Sequence, residues 1–180
     1  MSLNEDKKRI LEELWKASAS LRPKELSARL NFNFATLIMH LVGLKKLGYV
    51  DCPTEGYYAI TGKGKEALGF PPLTSQLVKV LLSPLPNEKA FHFFSGIGNY
   101  SGVSASSLKD FCEKAGAIDL QSMEFHINRR DFENWLTGLG DLELAKKISL
   151  LKKQNLTGEE LRQAVCQTVK DRYEEIKRIP

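Results

Sequence analysis

The sequence of 180 residues has few of the side chains that build metal or disulfide sites. It has three cysteines and three histidines, and no two of the cysteines form a C-x-x-C pair. An odd number of scattered cysteines is typical of a reducing compartment and does not indicate zinc ligation. The histidines likewise show no metal-ligand or Cys–His spacing. We therefore expect no metal, no cofactor and no disulfide framework.

Long apolar runs are also lacking. No stretch approaches the roughly 20 apolar residues that span a bilayer. The first residues, up to Asp6, contain no apolar segment of the kind that directs secretion. We therefore expect a cytoplasmic location and no membrane partner.

The chain lacks a large excess of either sign of charge. The chain carries 26 Lys and Arg against 22 Asp and Glu, a net charge of +4. Residues 1–70 hold 11 basic and 8 acidic side chains, so most of the excess lies there. A small positive excess permits a nucleic-acid partner without requiring one.

Residues 1–70 predict three helices followed by a small β-hairpin. Asn4 and Asn33 are N-cap residues, Pro23 suits the first position of the second helix, and Gly48 suits the end of the third. Tyr49-Val50 and Tyr57–Ile60 are strand-prone and flank a turn-rich segment. Thr61 then caps a short helix.

Pro71-Pro72 is the predicted boundary between a domain at 1–70 and an α-rich domain at 71–180. The apolar run Ala90–Phe94 fits a strand or a buried helical turn, and both alternatives remain open. Ser104 or Ser106 is expected to open a helix that runs through Lys114. Other helices are expected at 74–83, 121–126, 130–137, 142–153 and 158–177. The predicted fold class is mainly α, with one hairpin in the first domain.

The run Glu25–Val50 resembles the helix-turn-helix of winged-helix transcription regulators. Tyr57–Gly64 is similar to the second wing strand and closing helix of that family. The resemblance implies regulation of transcription, a third helix that enters the major groove of double-stranded DNA, and a homodimer.

The third helix departs from that pattern on its outward side. Its core face is predicted to carry large apolar residues: Phe32, Leu37, Leu41, Leu44 and Leu47. Phe34, Ile38 and Val42 form a second apolar stripe, although base edges and phosphates require hydrogen-bonding side chains. Only Thr36 and His40 are polar along the middle of this helix. The hairpin turn carries Asp51 and Glu55, which would repel phosphates.

Two hypotheses about residues 1–70 therefore remain open. In the first, the domain binds DNA through polar and basic side chains: Thr36, His40, Lys45, Lys46, Lys63 and Lys65. In the second, the helix contacts a protein partner through an apolar interface: Phe34, Ile38, Met39 and Val42.

Residues 88–150 resemble an uncharacterised prokaryotic family, described only as a domain of unknown function. The resemblance rests on Phe91–Phe94, Gly102–Phe111, Asp119–His126, Arg129–Trp135 and Gly140–Ala145. It implies a mostly helical fold and no particular activity.

The compact polar cluster of this domain is His126, Arg129, Arg130 and Asp131. Two arginines can bind a carboxylate or a phosphate, so the cluster predicts a site for an anion or a small ligand. The structural alternative is a helix junction, with His126 ending one helix and Asp131 starting the next. The serines at 101–107 have no base nearby in sequence, so we predict no catalytic residues and no enzyme.

Overall fold

The structure is a computed structural model that describes residues 3–179. It divides the chain into two compact units, Met1–Pro72 and Leu73–Pro180, each with its own apolar core. The described residues are mainly helical and include two small antiparallel hairpins.

The first unit contains α1 (Glu5–Ala17), α2 (Pro23–Leu30), α3 (Phe34–Lys46), β1 (Val50–Thr54), β2 (Tyr57–Ile60) and α4 (Gly62–Ala67). The side chains of Asn4, Asn33 and Thr61 accept backbone N–H groups in the first turns of α1, α3 and α4. Such capping pairs N–H groups that a helix cannot bond internally. These three caps confirm the predicted helix starts.

The strand β2 has a partner on each side. It pairs with β1 in an antiparallel register that places Val50 opposite Ile60. On its other side, Tyr58 exchanges two backbone hydrogen bonds of 2.9 Å with Leu21, which lies between α1 and α2. The sequence predicts no extended pairing at Leu21, because a single bridging residue leaves no periodic pattern.

The core of this unit is built on one face of α3. Leu37, Leu41 and Leu44 are fully buried, as predicted, while Phe32 is half-buried at the edge. The prediction for Leu47 is wrong, since 40% of this residue is exposed. Leu47 is the C-cap of α3, one position beyond the last helical residue, and it lies at the rim of the core.

The second unit contains α5 (Ser75–Leu82), a short 3-10 helix (Asn87–Lys89), β3 (Phe91–Gly96), β4 (Asn99–Ala105), α6 (Leu108–Ala115), α7 (Leu120–Arg129), α8 (Asp131–Leu139), α9 (Leu142–Lys152) and α10 (Gly158–Lys177). Of the two alternatives left open for Ala90–Phe94, the strand is correct, because Phe91–Gly96 forms β3 and pairs with β4 in a hairpin within this mainly helical unit. Ser104 belongs to β4, and the cap of α6 is Ser107 rather than Ser104 or Ser106.

The hairpin delivers aromatic side chains to the core on one face only. Phe91 and Phe93 are buried, while His92 and Phe94 are half-buried on the opposite face. This alternation is the period of a strand, in which successive side chains point to opposite sides. The ring of Phe111 contacts both Phe91 and Phe93, and α7 packs along β3. The hairpin is thus fixed on its inner face and presents the other to a neighbouring cavity.

A buried ion-pair network joins α9 to α10. Arg172 of α10 donates two hydrogen bonds, of 2.8 and 2.9 Å, to the carboxylate of Asp141, which is also the N-cap of α9. It donates a third, of 2.7 Å, to Glu143. Asp141, Glu143 and Arg172 are all buried, and these carboxylates raise the pKa of Arg172 despite the opposing effect of burial. The network positions the two helices that close the second core.

Among the helices of residues 3–179, none is both long enough and apolar enough to cross a membrane.

Candidate functional site

The outward side of α3 is apolar and accessible. Phe34, Met39 and Val42 are 48%, 64% and 57% exposed, and we call these three residues the α3 apolar face. Ile38, predicted with them, is half-buried, and Thr36 is exposed. The face offers apolar contact area and little hydrogen-bonding capacity.

His40 does not lie on that outward side. It is buried, its Nε2 is 3.7 Å from Asp6 Oδ2, and its ring lies beside Phe32. An imidazole enclosed in this way is not presented to a base edge. The prediction that His40 is an outward polar residue is wrong, because His40 lies three residues after Leu37 and four before Leu44, which places it on the buried face of α3.

The lysines predicted to bind DNA differ in their exposure and contacts. Lys45 and Lys46 are exposed in the last turn of α3. Lys63 instead donates from Nζ to the carbonyl oxygen of Leu47 at 2.9 Å and lies over the ring of Tyr49. It therefore caps the C-terminal end of α3, where a positive charge is favoured. Lys65 is half-buried on α4.

A cavity of about 420 Å³ opens in the second unit beside the outer face of the hairpin. Its volume lies within the range of about 300–1,000 Å³ found for small-molecule sites. The residues that line it come from β3, the hairpin turn, α7 and the start of α8: Phe91, His92, Phe94, Gly96, Ile97, Gly98, Phe125, His126, Arg129 and Asp131.

His126 forms the inner wall of the cavity and is held from two sides. The backbone N–H of Phe94 donates to its Nε2 at 2.8 Å, and its Nδ1 lies 2.8 Å from Asp131 Oδ2. Because Nε2 accepts, the ring proton is on Nδ1 and is donated to Asp131. Burial lowers the pKa of His126, although the hydrogen bond to Asp131 acts in the opposite direction. The lowered pKa keeps the imidazole neutral. His126 thus joins β3 to the start of α8.

Arg129 and Asp131 form the charged rim of the cavity. Arg129 donates from Nε to Asp131 Oδ2 at 3.2 Å, and its guanidinium lies over the ring of Phe125, 5.1 Å from the centroid. About half of the Arg129 side chain, 52%, is exposed. A positive and a negative group therefore lie side by side at the opening.

Arg130 does not line the cavity, so the structure does not bring the two predicted arginines together. α7 ends at Arg129, and Arg130 has a φ of 65°, which turns the chain directly into α8. Its guanidinium donates to Glu133 at 2.9 Å instead. The change of chain direction separates two side chains that are adjacent in sequence.

A hydrogen-bonded chain braces the hairpin at His92, another residue that lines the cavity. His92 Nε2 lies 3.0 Å from the carbonyl oxygen of Asn87, and Nδ1 lies 2.6 Å from Ser104 Oγ. Since a carbonyl only accepts, Nε2 carries the proton, Nδ1 accepts from Ser104, and Ser104 accepts from Tyr100 Oη at 2.6 Å. No base lies near Ser104 in sequence, but the pairing of β3 with β4 places His92 opposite Ser104. Each polar group of this hydrogen-bonded series already has a partner, so the series supports the hairpin.

Two of the three cysteines also meet in space. The Sγ atoms of Cys112 and Cys166 each lie 3.9 Å from the other residue's carbonyl oxygen. Burial raises the pKa of the Cys112 thiol to about 11 and also raises that of Cys166. Thiols of this kind are poor nucleophiles at neutral pH. Within residues 3–179, no group of three or more His, Cys, Asp or Glu side chains could hold a metal ion.

The apolar wall of the cavity was missed by sequence reasoning. Phe94 and Ile97 enter it only because β3 and β4 pair and turn at Ile97-Gly98. The available signal was the alternation in Phe91–Phe94 followed by two closely spaced glycines, which together favour a hairpin over a helical turn.

Comparison with known proteins places the second unit in a family. A family model described as "Family of unknown function (DUF5752)" matches residues 76–170, slightly more than half of the chain. This confirms the expected domain of unknown function. Neither a curated protein nor a solved structure matches the chain.

Proposed function

We propose that this chain, which belongs to the DUF5752 family of unknown function, is a transcription regulator-like protein of winged-helix build. The observation that carries the proposal is the bridge between Leu21 and Tyr58. This bridge holds the hairpin that follows α3 against the segment between α1 and α2, so three helices and a hairpin belong to one unit. Three helices followed by a small hairpin are the elements implied by the resemblance of Glu25–Val50 and Tyr57–Gly64 to winged-helix regulators. In this proposal α3 corresponds to the helix that faces DNA.

The proposed contact with DNA is made to phosphates rather than to bases. Lys45 and Lys46 are the exposed cations of α3, whereas the α3 apolar face offers no donors to base edges. Phosphate contacts position a protein on DNA but carry no direct sequence information. The proposed binding is therefore salt-dependent and has little sequence preference.

The test is a titration of a fluorescent duplex at two salt concentrations. Lys45→Ala/Lys46→Ala is expected to reduce the slope of log K against log [salt] by about two, one for each phosphate that the variant no longer neutralises. Lys146→Ala/Lys170→Ala removes two exposed lysines of the second unit and serves as the matched control. Absence of binding at low salt, or equal slopes for the two double variants, would contradict the proposal.

A second candidate function is self-association through α3. It is favoured by the exposure of Phe34, Met39 and Val42, since large apolar side chains grouped on one surface are typical of protein interfaces. In this alternative a second copy of the chain covers the α3 apolar face.

The test of this alternative is light scattering over a concentration series. Met39→Glu/Val42→Glu places charges on the α3 apolar face and is expected to yield monomers at concentrations where the unmodified chain is dimeric. Both residues are exposed, so the fold tolerates the change, and Thr36→Glu is the control on the same helix. An unmodified chain that stays monomeric at every concentration would exclude this function.

A further inference from the structure

The cavity beside the hairpin is close to neutral in total charge. Arg129 contributes one positive charge and Asp131 one negative charge, with Nε and Oδ2 3.2 Å apart. His126 accepts from the Phe94 N–H at Nε2 and therefore carries no charge in this arrangement. A phosphate or simple carboxylate at Arg129 would meet the carboxylate of Asp131 as well. The charge balance thus disfavours the bare anion expected from two adjacent arginines.

The same two side chains retain hydrogen-bonding capacity of opposite kinds. Arg129 uses Nε for Asp131 and stacks on Phe125, which leaves its paired Nη groups to bind a carboxylate. Asp131 accepts from both His126 and Arg129 on Oδ2, so Oδ1 can accept from an ammonium group. The rim therefore offers a fork of donors next to a charged acceptor.

Next to this charged pair the cavity wall is apolar. Phe94 and Phe125 are half-buried, and Ile97 at the hairpin turn is 90% exposed. An isoleucine side chain left almost wholly in water gains free energy when a ligand covers it, because burial of apolar surface is favourable. The wall suits an apolar group several carbon atoms long.

We propose that this cavity binds a small zwitterion with an apolar side chain, that is, a free α-amino acid of the leucine or phenylalanine type. Arg129 binds its carboxylate, Asp131 binds its ammonium group, and Phe94, Phe125 and Ile97 surround its side chain. His126 positions Asp131 for this contact. The inference concerns the second unit and is independent of whether the first unit binds DNA.

The test is isothermal titration calorimetry of the full chain with L-phenylalanine and L-leucine. Three further probes separate the contributions: 3-phenylpropionate lacks the ammonium group, 2-phenylethylamine lacks the carboxylate, and inorganic phosphate lacks the apolar group. We expect an amino acid to bind, and each single-charge analogue to bind at least tenfold more weakly, since each lacks one hydrogen bond to a charged group.

Arg129→Met is expected to weaken binding of the amino acid by at least tenfold. Because the Arg129 side chain is half exposed, this variant should fold. Arg130→Met removes the neighbouring guanidinium, which lies outside the cavity lining, and should leave the affinity unchanged. The proposal is overturned if no amino acid binds, if phosphate or 3-phenylpropionate binds as tightly as the amino acid, or if Arg129→Met binds it undiminished.

Discussion

Among individual side chains, His126 connects two of the segments that line the cavity. Its two ring nitrogens connect the backbone of β3 at Phe94 with Asp131 at the start of α8. Protonation of Nε2 would replace an acceptor by a donor that faces the Phe94 N–H. The neutral ring is therefore part of the folded structure.

This linkage predicts a pH dependence of stability. Burial lowers the pKa of His126 below its usual 6.5, so on acidification the unfolded chain takes up this proton before the folded chain does. The stability contributed by His126 is complete above pH 6.5 and is lost as the pH falls from there through the folded-state pKa. Urea denaturation at pH 7.5 and 5.0 measures the loss. His126→Gln should show a smaller decrease between the two pH values, and an equal decrease would contradict the prediction.

Arg172 leads to a second prediction about a single side chain. Replacement by Met leaves the buried carboxylate of Asp141 without its cation and removes the Arg172 guanidinium from Glu143, which keeps its ion pair with Lys147, so we expect the free energy of unfolding to fall by about 3–5 kcal/mol. Lys170→Met changes an exposed residue of the same helix and should alter it by less than about 0.5 kcal/mol. Chemical denaturation compares the variants, and similar values for the two would show that the ion pairs contribute little.

Among helices and strands, α4 depends on a close approach of backbone to backbone. Gly64 is buried against the carbonyl oxygen of Tyr49, and a Cβ there would overlap that oxygen and lie 2.7 Å from Ile60 Cγ1. Backbone atoms cannot move aside as the end of a flexible side chain can. The helix can therefore pack on this part of the unit only with glycine at that position.

We accordingly expect Gly64→Ala to lower the free energy of unfolding by about 1–3 kcal/mol through overpacking. Gly62→Ala is the matched control in the same helix, because a Cβ at Gly62 meets nothing within 4 Å. That variant should be neutral or stabilising by about 0.4–1 kcal/mol, because alanine restricts the unfolded chain. Thermal unfolding distinguishes the two, and equal midpoints would mean that α4 is not held in this way.

The hairpin β3–β4 has the corresponding role in the second unit. Its inner face carries Phe91 and Phe93 into the core, and its outer face and turn supply Phe94 and Ile97 to the cavity. The hairpin is thus anchored in the core on one face and lines the cavity on the other, which is consistent with a largely pre-formed pocket.

For the chain as a whole, each unit contains a complete apolar core drawn from its own residues. We therefore expect fragments 1–72 and 73–180 to fold separately, each with a cooperative thermal transition followed by circular dichroism. Leu41→Ala should lower the stability of the first fragment by about 2–5 kcal/mol, because it opens a cavity in that core. A fragment without a cooperative transition would show that its core is insufficient alone.

Local sequence patterns were sufficient to predict most of the helices. Asn33 and Thr61 mark helix starts because a capping side chain bonds the backbone within three residues of itself. Leu37, Leu41 and Leu44 identify the buried face of α3 because helical periodicity alone places them together. Interactions of this kind are settled within a few residues, so the sequence by itself determined them.

Contacts between distant segments of the chain determined the cavity and the buried ion pairs. His126 and Phe94 are 32 residues apart in sequence, and Arg172 and Asp141 are 31 residues apart, so no local pattern links them. Arg129 and Arg130 show the converse, since a left-handed residue at the end of α7 separates neighbours that the sequence groups together. The charge balance of the cavity follows from that separation. It therefore depends on the tertiary structure, because only packing determines which of two adjacent side chains faces the same space as Asp131.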